Sequence, residues 1–258
     1  MDASRSNRRG PGDRDLHNEG SHNEESHDVQ EAASETMHKA DAHNGSRGNI
    51  SEYTLGEEIA NATTHGLGFL GAVVGTVILL VSAGRQADPW KIVSFAIYGT
   101  TLMFLYISST LYHAFPSGRA KNVFRRLDYA AIYALIAGTY TPYTLIPLRG
   151  AWGWVMFGLI WGTAIAGISL KMVFFHKHKA LAVAMYVVMG WLVVIAVKPI
   201  VSAVPFRGLC WLTAGGLFYT TGVAIFARDD ISYNHAIWHL FVLAGSLTHF
   251  FGIYFYLA

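Results

Sequence analysis

Ile59–Ser82 reads I-A-N-A-T-T-H-G-L-G-F-L-G-A-V-V-G-T-V-I-L-L-V-S, a stretch without one Asp, Glu, Lys or Arg. A bilayer core of about 30 Å takes roughly 20 helical residues to cross, so this stretch has the length and polarity of a membrane span. Six more runs follow, at about Trp90–Ala114, Leu127–Leu148, Ala151–Leu170, Ala180–Val197, Phe206–Ala227 and His235–Ala258. Short polar segments punctuate them, among them Gly84-Arg85-Gln86-Ala87-Asp88-Pro89, Phe115-Pro116-Ser117-Gly118 and Arg228-Asp229-Asp230. The expected fold is an all-α membrane protein, a bundle of seven transmembrane helices. Gly66, Gly68, Gly71 and Gly75 in the first run, and Gly215 and Gly216 in the sixth, suit close helix packing in lipid.

Composition agrees with a membrane body. The chain is 52% hydrophobic and 14% charged over 258 residues, where an ordinary soluble domain carries about 25% charge. The charge is unevenly placed. Through Glu52 there are 11 acids and 6 bases, and the remaining chain has 6 acids and 13 bases. Residues 1–52 are rich in Ser, Asn, Glu, Gly and His and hold almost no large apolar side chains, so they are expected to be a disordered hydrophilic tail, with 53–258 as the membrane domain. The tail shows no apolar core of a signal peptide, which leaves the first span as its own insertion signal. Its echo His17-Asn18-Glu19, His22-Asn23-Glu24, Ser26-His27-Asp28 reads as solvated low complexity, because five-residue spacing spreads the side chains around a helix. A single cysteine, Cys210, excludes an intrachain disulfide.

The loops carry a modest positive-inside signal. With seven spans, the second, fourth and sixth loops share the side of the amino terminus and carry eight bases, against five in the opposite loops. The expectation is an amino terminus in the cytoplasm and a carboxyl terminus outside. His113 ends an even span, while His235 and His239 begin an odd one, so all three fall at the cytoplasmic face. Asp128 opens the third span, Glu58, Asn61, Thr64 and His65 open the first, and Ser109 precedes His113 by one turn. All lie in one layer.

Histidines at membrane depth are costly unless something compensates them, and neutral imidazole is a preferred zinc ligand. His235 and His239 stand four residues apart, about 6 Å along a helix and on one face, so both can reach one ion. His113 would be the third ligand. Three protein ligands with an open position mark catalytic rather than structural zinc. The H-A-I-W-H run has Ala236 where zinc proteases place glutamate, which excludes that mechanism and leaves Asp128 as the candidate base. His249 lies about 15 Å further along the helix, too far to share the ion, and is expected to bond a neighbouring helix. His176 and His178 are expected to face headgroups, and Lys198 to snorkel.

Glu58-x-x-Asn61-x-x-Thr64-His65, Ser109-x-x-x-His113, Arg126-Leu127-Asp128 with Ala137-Gly138-Thr139-Tyr140-Thr141-Pro142, and His235-Ala236-Ile237-Trp238-His239 together resemble the hemolysin III family, within the progestin and adipoQ receptors. The resemblance covers about Tyr53 to Ala258; the long hydrophilic tail departs from it. It implies a heptahelical bundle with Zn2+ held near the cytoplasmic face by His113, His235 and His239. Asp128 would hold or activate the metal's water, and Ser109 would support it by hydrogen bonding. The adiponectin receptors of this wider group look like ceramide amide hydrolases, and other members are described as receptors, sterol or zinc homeostasis proteins, or cytolysins.

Three functions follow as expectations. The first is a zinc-dependent lipid amide hydrolase, ceramidase-like, whose substrate enters sideways between helices. The second is a receptor or regulator of lipid or metal homeostasis, with the metal as a clamp between the second and seventh spans. The third, a cytolytic pore, lacks the polar stripe that channels need. The expected partners are bilayer lipid and a lipid substrate such as a ceramide, with no nucleic acid, and the expected location is an integral multi-pass membrane position.

Overall fold

The computed structural model of the protein describes residues 53–173, 179–228 and 230–258. The expected tail with its histidine echo, and His176 and His178, lie outside the described residues. Among those described, 88% are helical and none is in a strand. The elements are α1 (Leu55–Gln86), α2 (Pro89–Ala114), α3 (Arg119–Leu145), α4 (Ala151–Val173), α5 (Lys179–Gly190), a 3-10 turn (Leu192–Ala196), α6 (Val197–Ala203), α7 (Phe206–Phe226) and α8 (Asn234–Tyr256).

Six stretches are long and apolar enough to cross a membrane: α1, α2, α4, Leu181–Ala203 through the 3-10 turn, α7 and α8. The third expected span coincides with α3, 27 residues long, but it is not among the six. Arg119, Lys121, Arg125, Arg126 and Asp128 in its first three turns lower its hydropathy. It packs against α2 on one side and α4 on the other.

Two helices run past their expected ends, for local reasons. α1 starts at Leu55 because Thr54 accepts from the Glu57 amide while the Glu57 carboxylate accepts from the Thr54 amide at 2.8 Å, a reciprocal cap. It continues through Gly84-Arg85-Gln86 and closes only at Ala87, which adopts a left-handed conformation (φ 50°). Asp88 then caps α2 by accepting from the Trp90 and Lys91 amides, with Pro89 in the first turn where its missing N–H costs nothing.

The fifth expected span is broken. α5 ends at Gly190, and the chain tightens into 3-10 geometry before resuming as α6. Tyr140 of α3 accounts for this: its hydroxyl donates to the Gly190 carbonyl at 2.7 Å and accepts from the Val193 amide at 2.9 Å. A side chain inserted in the backbone ladder is a recognised cause of helix breaks.

α1, α2 and α8 pack on one another around Tyr98, Leu102, Leu105, Tyr106 and Val242. Close approach requires glycine at Gly68, whose Cβ would come within 2.7 Å of Tyr106 and 2.8 Å of Leu243. The three helices that carry histidines therefore meet along one seam.

Candidate metal centre

At one end of this seam His113 closes α2 while His235 and His239 occupy the first two turns of α8. Their ring centroids lie 5.1 Å (His113–His235), 5.2 Å (His113–His239) and 4.6 Å (His235–His239) apart. Each offers a nitrogen within 4.8 Å of the other two. Ligands at about 2.0–2.1 Å from a tetrahedral zinc stand about 3.4 Å apart, so small ring rotations would bring the three onto one ion. His113 and His239 are buried, and His235 is half-buried with its metal-facing nitrogen enclosed.

The outward nitrogens decide what the inward ones can do. The Nδ1 of His113 is 2.7 Å from the Glu58 carboxylate, which can only accept, so the proton sits on Nδ1 and Nε2 keeps its lone pair. That Nε2 is buried and has no hydrogen-bond partner. His239 presents Nδ1 to the Asn61 carbonyl at 3.3 Å, which fixes the same tautomer, and the Thr64 hydroxyl lies at 3.3 Å as well. The Nδ1 of His235 meets the Tyr53 hydroxyl at 3.1 Å. Three imidazoles thus have outer nitrogens anchored to α1 or to the residues leading into it. A buried lone pair left without a donor costs about 1–3 kcal/mol, and a cation removes that cost. The donor set fits a borderline cation such as zinc.

Glu58 is itself held. Its second oxygen accepts from Lys121 Nζ at 2.8 Å, and Lys121, in the first turn of α3, also donates to the Tyr112 and Phe115 carbonyls. The Lys121–Glu58–His113 chain links α3 to α1 to α2. Sequence reading put Glu58 in the right layer without giving it a role, and it counted Lys121 only as one of the loop bases. The available signal was a lone carboxylate inside an apolar helix, which needs a partner.

Asp128 is buried and lines the same cavity as His65, His235 and His239, but it is not part of the three-histidine group. Ser109 is buried one turn before His113, and its oxygen has no hydrogen-bond partner. His65 stacks flat on His239, with centroids 3.5 Å apart and planes 9° apart, and neither of its ring nitrogens has a partner. Its plane runs beside His239 and it stays outside the ligand group.

A cavity of about 160 Å³ opens from these residues. Beyond its polar end, its walls are mainly aliphatic and aromatic side chains from α2, α3, α5, α7 and α8, such as Leu105, Leu135, Val187, Val223 and Val242. At its far end stands His249, bonded through Nε2 to the Leu212 carbonyl of α7 at 3.1 Å, which is the neighbouring-helix bond expected of it. A second cavity of about 350 Å³ shares Thr139, Tyr140, Gly190, Trp191, Gly216 and His249 with the first.

The sequence profile described as "Haemolysin-III related" matches residues 53–250. "Hemolysin-3 homolog" of Bacillus subtilis (strain 168) is 42% identical over 204 residues, covering 79% of this chain and 96% of the relative. "Hemolysin-3" of Bacillus cereus is 42% identical over 200 residues, 78% of this chain and 91% of the relative. "Monocyte to macrophage differentiation factor" of Homo sapiens is 31% identical over 210 residues, 79% of this chain and 86% of the relative.

Proposed function

This chain belongs to the hemolysin III family of integral multi-pass membrane proteins, and from that membership and the three-histidine geometry we propose that it is a zinc-dependent hydrolase of a membrane lipid amide, ceramide-like in class. One observation carries the reading. Three imidazoles with anchored outer nitrogens face one point, and a buried carboxyl, Asp128, shares with two of them a cavity whose remaining walls are apolar.

In the topology we propose, α3 is a seventh span, the amino terminus is cytoplasmic and residues 1–52 form a separate hydrophilic tail. Its polar first turns then sit at the cytoplasmic face beside the histidines, where charge is tolerated. Accessibility labelling of single cysteines placed near Tyr53 and Ala258 tests this; labelling of both from one side breaks it.

Zinc at the three nitrogens would polarise the amide carbonyl and lower the pKa of water there toward about 7. The chain's own residues supply the rest. Asp128 takes a proton from the attacking water as the new C–O bond forms, and it returns that proton to the departing amine as the C–N bond breaks. Ser109 positions the Asp128 carboxyl. Glu58 and Lys121 hold the His113 ring in its tautomer, and the apolar walls sequester the acyl chain.

A second reading treats the metal as a clamp in a receptor or regulator, and one feature favours it: the ligands come from α2 and α8 while their supports come mainly from α1, so an ion would staple three helices. Asp128→Asn separates the two. Under the hydrolase reading, release of fatty acid from a ceramide by purified protein falls by at least about 100-fold, while metal content measured by mass spectrometry stays that of wild type. A His235→Ala, His239→Ala double variant loses both metal and turnover. Equal zinc in the double variant would overturn the metal centre, and turnover undiminished in Asp128→Asn would sink the assigned base.

A further inference from the structure

His249 is, with His65, one of two buried histidines among the described residues that the three-histidine group leaves out. It lies ten residues beyond His239 on α8, about 15 Å along the axis, yet both line one cavity. Its Nε2 sits 3.1 Å from the Leu212 carbonyl, an acceptor only, so that nitrogen carries the hydrogen. An unpaired charge in this setting would be strongly disfavoured, so the ring is neutral and Nδ1 is a bare lone pair. That Nδ1 is buried with no hydrogen-bond partner, in a residue 6% exposed.

Of the other polar groups at the same end of the cavity, the Tyr143 hydroxyl on the adjoining cavity also lacks a partner, while three are satisfied. Thr139 donates to the Leu135 carbonyl, Tyr140 bonds Gly190 and Val193, and the Trp191 indole donates to Thr220. The His249 acceptor is also deliberately accommodated by its neighbour. A Cβ at Gly215 would stand 2.3 Å from the His249 ring, so only glycine lets the imidazole press against α7 and reach Leu212.

We propose that His249 is the far polar anchor of a lipid-binding site, accepting through Nδ1 a hydrogen bond from a hydroxyl on a long acyl chain whose polar head lies at the three histidines. This deepens the lipid reading of the same cavity and rests on it. The class of ligand is set by distance and chemistry: an elongated amphiphile with an O–H donor about 15 Å from its head. An unsubstituted chain fits the walls but leaves Nδ1 bare.

Wild-type full-length protein in nanodiscs supplies the test. Octadecanoic acid, its 12-hydroxy derivative and its 12-methoxy derivative compete against radiolabelled octadecanoic acid. The 12-hydroxyl stands about as far from the carboxylate as His249 from His239, and the methoxy oxygen occupies the same place but cannot donate. The hydroxy acid should bind about 5- to 10-fold tighter than either of the others, the worth of one net hydrogen bond. His249→Phe should erase this preference, so that the hydroxy, methoxy and unsubstituted acids compete equally. Equal affinity for the three chains, or binding by none, overturns the assignment. A hydroxyl preference in a protein without amide turnover upholds it and counts against the hydrolase instead, so the two failures are told apart.

Discussion

Apart from α3, the helices around the cavity fall into two unlike walls, α1, α2 and α8 on one side and α5, with the 3-10 turn that follows it, and α7 on the other. Over the apolar stretch of α2 56% of residues are buried, over that of α8 44% and over that of α1 22%, against 17% in Leu181–Ala203 and 11% in α7. The first wall is bound by polar links between helices: Lys121 to Glu58, Glu58 to His113, Asn61 to His239, Tyr53 to His235. The second wall faces outward with Val188, Val194, Ile195, Leu217 and Phe218 exposed, and its polar links to the rest, among them Tyr140 to Gly190 and Val193, Tyr186 to Tyr129, Tyr219 to Ser246 and His249 to Leu212, involve none of the three histidines. In lipid, apolar side chains gain little by leaving the bilayer for a protein interior, so hydrogen bonds and close packing decide which helices stay fixed. The first wall carries the three histidines, and under the lipid reading the second is where a substrate would enter sideways.

The contrast predicts that the first wall is sensitive at residues that never touch an ion. Glu58→Gln keeps the side chain's shape and an acceptor for His113 Nδ1 but removes the charge shared with Lys121. Metal affinity measured against a competing chelator should fall about 10- to 100-fold, the usual consequence of altering the group behind a ligating histidine. Affinity unchanged by that variant would mean that the Glu58–His113 contact is incidental, and the polar lattice would lose its claim to set the site.

Much of this division was legible in the sequence and part was not. Hydropathy located most helices to within a few residues, but α3 begins at Arg119 rather than Leu127 because its first turns are charged, and the fifth run is broken. The histidine group was legible too, since spacing of four on one helix and matched depth on another are properties of the chain itself. What escaped depends on pairs far apart in sequence. The break after Gly190 falls in a run, Trp191-Leu192-Val193-Val194-Ile195, that is apolar and free of proline, so nothing in those residues announces it. Its cause is Tyr140, fifty residues earlier. Lys121 read as one base among several in a loop, because only the folded chain shows it turned inward onto Glu58. The stacking of His65 on His239 likewise has no signature in either helix alone.

The second wall should answer to the attachment that sets its break. In Tyr140→Phe the ring stays but the hydroxyl is gone, which leaves the Gly190 carbonyl and the Val193 amide without the partner that defines the break. The carbonyl of a kinked helix can find water or rebuild an α-turn more readily than an isolated buried group, so the loss should lie at the lower end of the range for unsatisfied groups, about 1–2 kcal/mol. Amide exchange at Val193 should accelerate and the unfolding temperature in detergent should drop, while metal content stays at the wild-type value because no ligand or support belongs to this wall. If exchange at Val193 did not change, the 3-10 turn would be a property of its own sequence. If metal were lost together with that protection, the two walls would be a single cooperative unit, and their difference in burial would say nothing about how they move.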